Sequence, residues 1–305
     1  MGDDGTPLTE NYLLAGDYPT FHIYDGSEGE YINTEVIITP IAGGEYTGWS
    51  NFGFYFIVEM LGSVLDWYSI ALDGVDLISF YSLPEDNSVT AIFSQVESSN
   101  PKILGEGTSA FYYGEYPDGV WLGTLTEIKS TAGYWLIIDE DDAGTLDVEG
   151  IPADSNIVYN LHEHTNLISY PFAGFGPVEE TIPDSAQGFI DAILGEGIAA
   201  MNTSEGWVGG LLNLSGTEGY WFITNEEVSF SYNPPVEGVA RQDSPIRSVP
   251  MEFAFRQSTQ QAFYFIESVE NIEIGDWILA YNGDEVIGAR QWQGSIIDIP
   301  AMGND

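Results

Sequence analysis

Gly133-Tyr134-Trp135-Leu136-Ile137-Ile138 and Gly219-Tyr220-Trp221-Phe222-Ile223 are the two stretches that decide how this chain folds. Each is a run of aromatic and β-branched residues opening at a glycine, the pattern of a buried strand. Their agreement continues upstream. Leu77-Ile78-Ser79 recurs as Leu167-Ile168-Ser169, and 27 positions after each of these leucines stands Leu-Gly-Glu-Gly, at 104–107 and again at 194–197. Trp121-Leu122-Gly123 is matched by Trp207-Val208-Gly209. Four anchors in one order at nearly constant spacing are a duplication, and an internal repeat constrains the fold more than any local propensity.

Outward from the repeats the chain still reads as β-structure. Thr20–Tyr24, Phe52–Leu61 and Gln261–Val269 carry strand-forming residues. Trp277 to Ala289 holds two apolar runs around Asn282-Gly283-Asp284, a hairpin signal that predicts a type I′ turn. One helical turn is predicted at Ser88–Phe93; Pro183 stands at the matching place in the second copy, and proline cannot donate within a helix, so that copy is left with a stub. The predicted fold is all-β: several small β-sandwich or β-rich modules in tandem, with at most short helical turns. The modules are 74–150 and 160–233 for the two repeats, 234–249 for a proline-containing linker, and 1–70 with 250–305 as the two halves of a further β-sandwich.

Charge narrows the function. The 305 residues hold 48 Asp+Glu against 6 Lys+Arg, a formal charge of −42, while 44% hydrophobic and 14% aromatic residues suffice for real cores. A nucleic-acid groove needs a row of cations, and so does an anionic lipid surface; six scattered basic residues supply neither. There are no cysteines, so thiolate chemistry and disulfides are absent. No apolar run approaches the ~20 residues of a helical membrane span, which predicts no membrane insertion. Met1-Gly2-Asp3-Asp4 has neither a basic nor an apolar signal region. Acidity on this scale suits brine or a calcium-rich exterior, where salt screens self-repulsion.

Motifs for catalysis fail on context. Gly105-Glu106-Gly107 and Gly195-Glu196-Gly197, each followed by alanine three residues on, fit the dinucleotide fingerprint, but no long helix follows and a glutamate in the loop repels phosphate. They read as repeated structural turns. His162-Glu163-His164 lacks a third metal ligand at a defined spacing and reads as a solvated segment. No Gly-x-Ser-x-Gly elbow or P-loop lysine occurs. No enzyme is predicted. Two oxygen-rich clusters suit Ca²⁺ as a cofactor, one around Asp139, Asp141 and Asp142 and one at Asp3-Asp4. The four tryptophans at repeat anchors read as core, and Trp49 and Trp67, outside the repeats, are the candidate carbohydrate platforms.

The two ends share a phrase: Met302-Gly303-Asn304-Asp305 and Met1-Gly2-Asp3-Asp4. Gln261-Ala-Phe-Tyr-Phe265, Gly275-Asp-Trp-Ile-Leu-Ala-Tyr-Asn-Gly-Asp284, Val286-Ile-Gly-Ala-Arg290 and Asp298-Ile-Pro-Ala-Met-Gly303 resemble a module of very large secreted and surface proteins of marine bacteria. The Leu-Ile-Ser to Gly-Tyr-Trp repeat resembles a companion module of the same proteins. In that family the closing phrase continues into Gly2-Asp3-Asp4-Gly5 and Gly16-Asp17-Tyr18-Pro19-Thr20-Phe21. The resemblance implies one module divided between the chain ends, with Met1, Gly2, Asp3, Met302, Gly303 and Asp305 at an assembly junction. It fits one period of a covalent array, a subunit polymerising through its neighbour, or a permuted monomer.

The expected function is a structural subunit or repeat unit of an extracellular filament, sheath or giant surface adhesin. Its partners are copies of itself, joined head-to-tail, and an extracellular glycan. The alternative is a set of glycan-binding accessory modules of a secreted polysaccharide-degrading protein.

Overall fold

A computed structural model describes residues 13–25, 30–40, 45–63, 65–139, 144–235 and 249–304. Its described residues form β-strands with a few short helical segments. The chain divides into two compact units, residues 1–66 and 67–305.

The smaller unit is an antiparallel meander of β1 (Phe21–Asp25), β2 (Glu30–Pro40) and β3 (Tyr55–Ser63). Its register pairs Phe21 with Thr34, Ile38 with Ile57 and Pro40 with Tyr55, with a bulge at Val58. The Trp49 backbone is tied to the Gly16–Asp17 turn by bonds of 2.8 and 2.6 Å. Gly48 there has φ +97°, and a Cβ would lie 2.4 Å from the Gly16 carbonyl oxygen, so only glycine fits.

The larger unit begins with the first repeat: β4 (Asp66–Leu72), β5 (Val75–Ser79), β6 (Ser82–Leu83), α1 (Val89–Phe93), β7 (Lys102–Gly105), β8 (Thr108–Tyr113), β9 (Val120–Gly123), β10 (Gly133–Ile137) and β11 (Gly144–Pro152). The second follows: β12 (Tyr159–Leu161), β13 (His164–Ile168), β14 (Phe175–Pro177), α2 (Val178–Thr181), α3 (Asp184–Gln187), β15 (Ile190–Leu194), β16 (Ala199–Thr203), β17 (Gly206–Gly209), β18 (Asn213–Ser215), β19 (Tyr220–Thr224) and β20 (Val228–Phe230). Their main sheets run β5-β10-β7-β8-β9 and β13-β19-β15-β16-β17, the same order position for position. The duplication read from the anchors is therefore a duplication of topology.

Each main sheet packs one face on a second layer. In the first repeat that layer is β4-β11-β6, and Ile70, Leu72, Leu146 and Val148 meet Ile103, Tyr134 and Leu136 in the core. Strand β4, which begins before residue 74, thus contributes to the first repeat's core. In the second repeat the layer is two two-stranded antiparallel sheets, β12-β20 and β14-β18, over a core that includes Tyr170, Ile193, Tyr220 and Phe222. The Gly-Tyr-Trp strands sit where their composition puts them: β10 is buried along four of its five residues.

The short elements follow local chemistry. Ser88 caps α1, its hydroxyl accepting from the Ala91 N–H at 3.2 Å. The second repeat has only the four-residue stubs α2 and α3, separated at Ile182-Pro183. The chain closes with β21 (Gln261–Ile266), β22 (Trp277–Asn282), β23 (Glu285–Gln291) and β24 (Ile297–Met302), paired as β21-β24 and β22-β23. The β22–β23 turn differs from expectation. Asn282 pairs with Glu285, so the central residues are Gly283 and Asp284, and φ is positive only at Gly283. That sign pattern belongs to a type II′ turn, with glycine taking the first central place. The expected linker at 234–249 falls mostly outside the described residues.

Candidate functional site

The Leu-Gly-Glu-Gly motif closes the hairpins β7–β8 and β15–β16, with Gly107 and Gly197 at φ +66° and +61°. Each motif glutamate reaches across to the other repeat. Glu106 accepts the Leu167 N–H at 2.9 Å, and Glu196 accepts the Leu77 N–H at 2.9 Å. Leu77 and Leu167 open the Leu-Ile-Ser phrases, so the two anchor motifs grip each other reciprocally, the signature of an isologous contact. Bridges between Ile78 and Glu218 and between Ala132 and Ile168 repeat the exchange.

Apolar residues fill the same contact. Leu77, Trp135 and Leu167 are buried there, with Trp221 packed against them. The opening glycines of the two Gly-Tyr-Trp strands lie back to back: a Cβ on Gly133 would stand 3.1 Å from the Gly219 Cα, and one on Gly219 equally close to Gly133. Ser79 donates to the Glu218 carbonyl at 2.7 Å and Ser169 to the Ser130 carbonyl at 2.5 Å. Sequence reading found these motifs as repeats; that they face one another is a fact of tertiary apposition. The one available signal was a charged glutamate conserved between both hairpin turns.

The contact is not symmetric in charge. Glu106 also meets the His162 Nε2 at 2.6 Å, so the His-Glu-His segment is the partner of a motif glutamate, not simply solvated. A hydrogen bond to the Glu163 carbonyl, joined by Glu106, raises the His162 pKa. Glu196 instead borders a cavity of about 520 Å³ with Asp76 and Glu218 on its walls. Burial pushes Asp76 up to about 6, with repulsion from Asp73 adding to it. Glu196 opens to solvent but protein encloses it on most sides, and that desolvation, reinforced by Asp76 and Glu218, pushes it up to about 7.

Residues 250–304 are clipped to the second repeat. Asp298, with no exposed side-chain surface, pairs with the buried Arg290 at 2.8 Å. The same carboxylate accepts the Ala199 N–H at 3.1 Å and the Gly210 N–H at 2.5 Å, while Arg290 donates to the Gly197 carbonyl at 2.6 Å. Gln261 bonds both Gly195 and Gly197. In the first repeat Thr124 donates its N–H to the Ser109 carbonyl and turns its hydroxyl toward the Ser109 N–H, at the place Asp298 occupies in the second. That turn is satisfied from within.

The N-terminal sheet shows the opposite condition. Register and alternation place Phe21, Ile23, Val36, Ile38, Tyr55 and Ile57 on one face. Among the described side chains of residues 1–66, no hydrophobic one is buried. Phe54, Phe56 and Val58 are 75%, 61% and 67% exposed. A sheet normally hides one face; the described hydrophobic side chains of this one are buried on neither.

The sequence-predicted site residues are dispersed. Met1, Gly2, Asp3, Asp4, Asp141, Asp142 and Asp305 lie outside the described residues. Met302 is buried at the end of β24, and the Gly303 N–H donates to the Gln260 carbonyl at 2.6 Å. Asp139 is exposed after β10, and among the described residues no group of three or more His, Asp or Glu is arranged to hold a metal. Trp49 is half-buried, and Trp67 is 66% exposed on the outer side of β4. The repeated tryptophans are packed as core: Trp135 is buried, and Trp121, Trp207 and Trp221 pack against buried clusters. The two glycine-rich turns join antiparallel strands, which excludes the strand-turn-helix of a dinucleotide site. Among the described residues no helix is long and apolar enough to cross a membrane. Comparison with protein-family models, with curated proteins and with solved structures finds no match.

Proposed function

We propose that this chain is a structural building unit of an extracellular filament, sheath or large surface adhesin, assembled head-to-tail from copies of itself, and not an enzyme. The observation that carries this reading is the N-terminal sheet, apolar on one face and without a buried hydrophobic side chain among its described residues. A face of that kind costs free energy in water until another surface covers it, at about 25 cal/mol per Å². Residues 250–304 of a neighbouring copy are the complementary surface: Trp277, Ile278, Leu279 and Ala280 on β22 are only half-buried, and Ile274 is 73% exposed. The repeated motifs support the structural reading because their residues go into packing and cross-repeat bonds. Oxygen-rich loops around Asp139, Asp141 and Asp142 and at Asp3-Asp4 are where Ca²⁺ would act between units.

Sedimentation of the purified chain tests the proposal. Association that rises with concentration is expected, and Ile38→Glu together with Ile57→Glu should abolish it while leaving the near-ultraviolet signal of the repeats unchanged. A 33.4 kDa monomer at every concentration would overturn it.

A second reading rests on Trp67. Its exposed ring shares the outer side of the β4-β11-β6 layer with Ser69, whose hydroxyl donates to Asp147 at 2.5 Å. A flat aromatic beside fixed polar atoms suits a sugar ring. Glycan-array binding lost in Trp67→Ala would favour accessory glycan binding.

A further inference from the structure

The reciprocal contact between the repeats departs from its own symmetry at one place. On one half, Glu106 holds the Leu167 N–H and His162, and the residue before Leu167 is Asn166. The Asn166 side chain bonds the His162 backbone in both directions, at 2.9 and 2.8 Å. On the other half, Glu196 holds the Leu77 N–H, the residue before Leu77 is Asp76, and Leu72 stands at the place of His162. One half therefore matches its carboxylate with an imidazole and an amide. The other sets two carboxylates on one cavity wall.

Among the described residues the surroundings supply no neutralising charge. Both Asp76 oxygens accept the Asp73 N–H, at 2.9 and 3.1 Å, and the Asp73 carboxylate adds repulsion from the β4–β5 turn. Glu218, on the β18–β19 connection, lines the cavity and accepts the Tyr220 hydroxyl at 2.9 Å. Arg290 reaches the carbonyl of Gly197, next to Glu196, but Asp298 already balances it. Asp76 is 6% exposed, so its charge gains little from water.

We propose that Asp76 and Glu196 form a proton-dependent latch between the two repeats, closed while the pair retains a proton and strained once both are ionised. The sign follows from linkage. Burial, with repulsion from Asp73, raises Asp76 to about 6, and desolvation, with repulsion from Asp76 and Glu218, raises Glu196 to about 7, both above their unfolded values. The folded state then binds more protons than the unfolded one, so stability is greatest at or below about pH 4, falls as pH rises through about 4 to 7, and levels off above. The opposite half, carrying Asn166 and the His162–Glu106 pair, has no such carboxylate pair. This inference does not depend on assembly, since it concerns a contact within one chain.

Thermal unfolding of the full chain at fixed ionic strength, from pH 4.5 to 8.5, tests the latch against Asp76→Asn, which installs the residue found at 166. The wild-type Tm should fall with rising pH. The variant should lose about half of that slope and lie about 3–8 °C above wild type at pH 8, with a clearly smaller gap at pH 4.5. Parallel Tm curves would overturn the proposal. Amide hydrogen exchange in the wild type gives a readout that does not need the variant to fold. Corrected for intrinsic rates, protection of Leu77 should drop between pH 4.5 and 7.5 and that of Leu167 should not; equal behaviour of the two amides would also sink it.

Discussion

Gly133 and Gly219 show how one atom can carry the contact between two domains. A methyl at Gly133 would lie 2.9 Å from Leu167 Cδ1, 3.0 Å from the Ile168 carbonyl oxygen and 3.1 Å from Gly219 Cα. Two of these are backbone atoms held by strand pairing and cannot step aside. Gly133→Ala is therefore expected to cost about 1–3 kcal/mol by overpacking, measured by urea unfolding. Gly188→Ala, a site with open space and ordinary φ, should be neutral or slightly stabilising. Equal effects at the two positions would mean that the repeats separate more easily than the contact implies. Asp298 is the second residue on which a domain contact turns. Its removal leaves Arg290, 4% exposed, without a counter-charge, together with the Ala199 and Gly210 N–H groups. Breaking a buried pair from one side costs about 3–5 kcal/mol. Asp298→Ala should show that loss in urea and should expose residues 250–260 to protease before the repeats unfold.

At the scale of elements, what the sequence could show depended on how local the cause was. The Gly-Tyr-Trp strands, the α1 turn and the β22–β23 hairpin announce themselves because their composition and punctuation act within a few residues. Ser88 can be read as a cap for the same reason, and Ser88→Ala should lower stability by about 1 kcal/mol, visible as a small Tm shift with no change in the repeat contact. The sequence-predicted type I′ turn went one residue astray: Asn-Gly marks a turn, but register is set by cross-strand pairing of Asn282 with Glu285. Glu106 and Glu196 were legible as a repeated oddity and illegible as a clasp. Their partners, Leu167 and Leu77, lie 61 and 119 residues away. Only the meeting of the two sheets brings a carboxylate to those amides. The same holds for Asp298, whose acceptor role needs the second repeat beside it. Of the candidate site, the exposed Trp67 and half-buried Trp49 were within reach of sequence, whereas the bare N-terminal sheet emerged only once the strands were paired.

At the scale of the whole molecule, two large quantities oppose each other. The apolar face of β1–β3, whose described side chains are not buried, would favour the proposed association, and a formal charge of −42 resists bringing two copies together. The apolar term acts over contact distance and barely responds to moderate salt. The repulsion reaches over a Debye length, about 8 Å at 0.15 M and about 3 Å at 1 M. Raising NaCl from 0.15 to 1 M should therefore strengthen self-association, seen as a larger weight-average sedimentation coefficient at constant protein concentration. A charge-steered contact between unlike patches would weaken instead, and with only 6 basic residues there is little to make one. Millimolar Ca²⁺ added at low salt should act beyond its ionic strength if carboxylates from two copies share it, and EDTA should reverse that excess. An equal response to Mg²⁺ and Ca²⁺ at matched ionic strength would leave screening as the whole cause and remove calcium from the assembly. Association that falls as salt rises would go further, because it contradicts an apolar junction and with it the head-to-tail unit proposed for this chain.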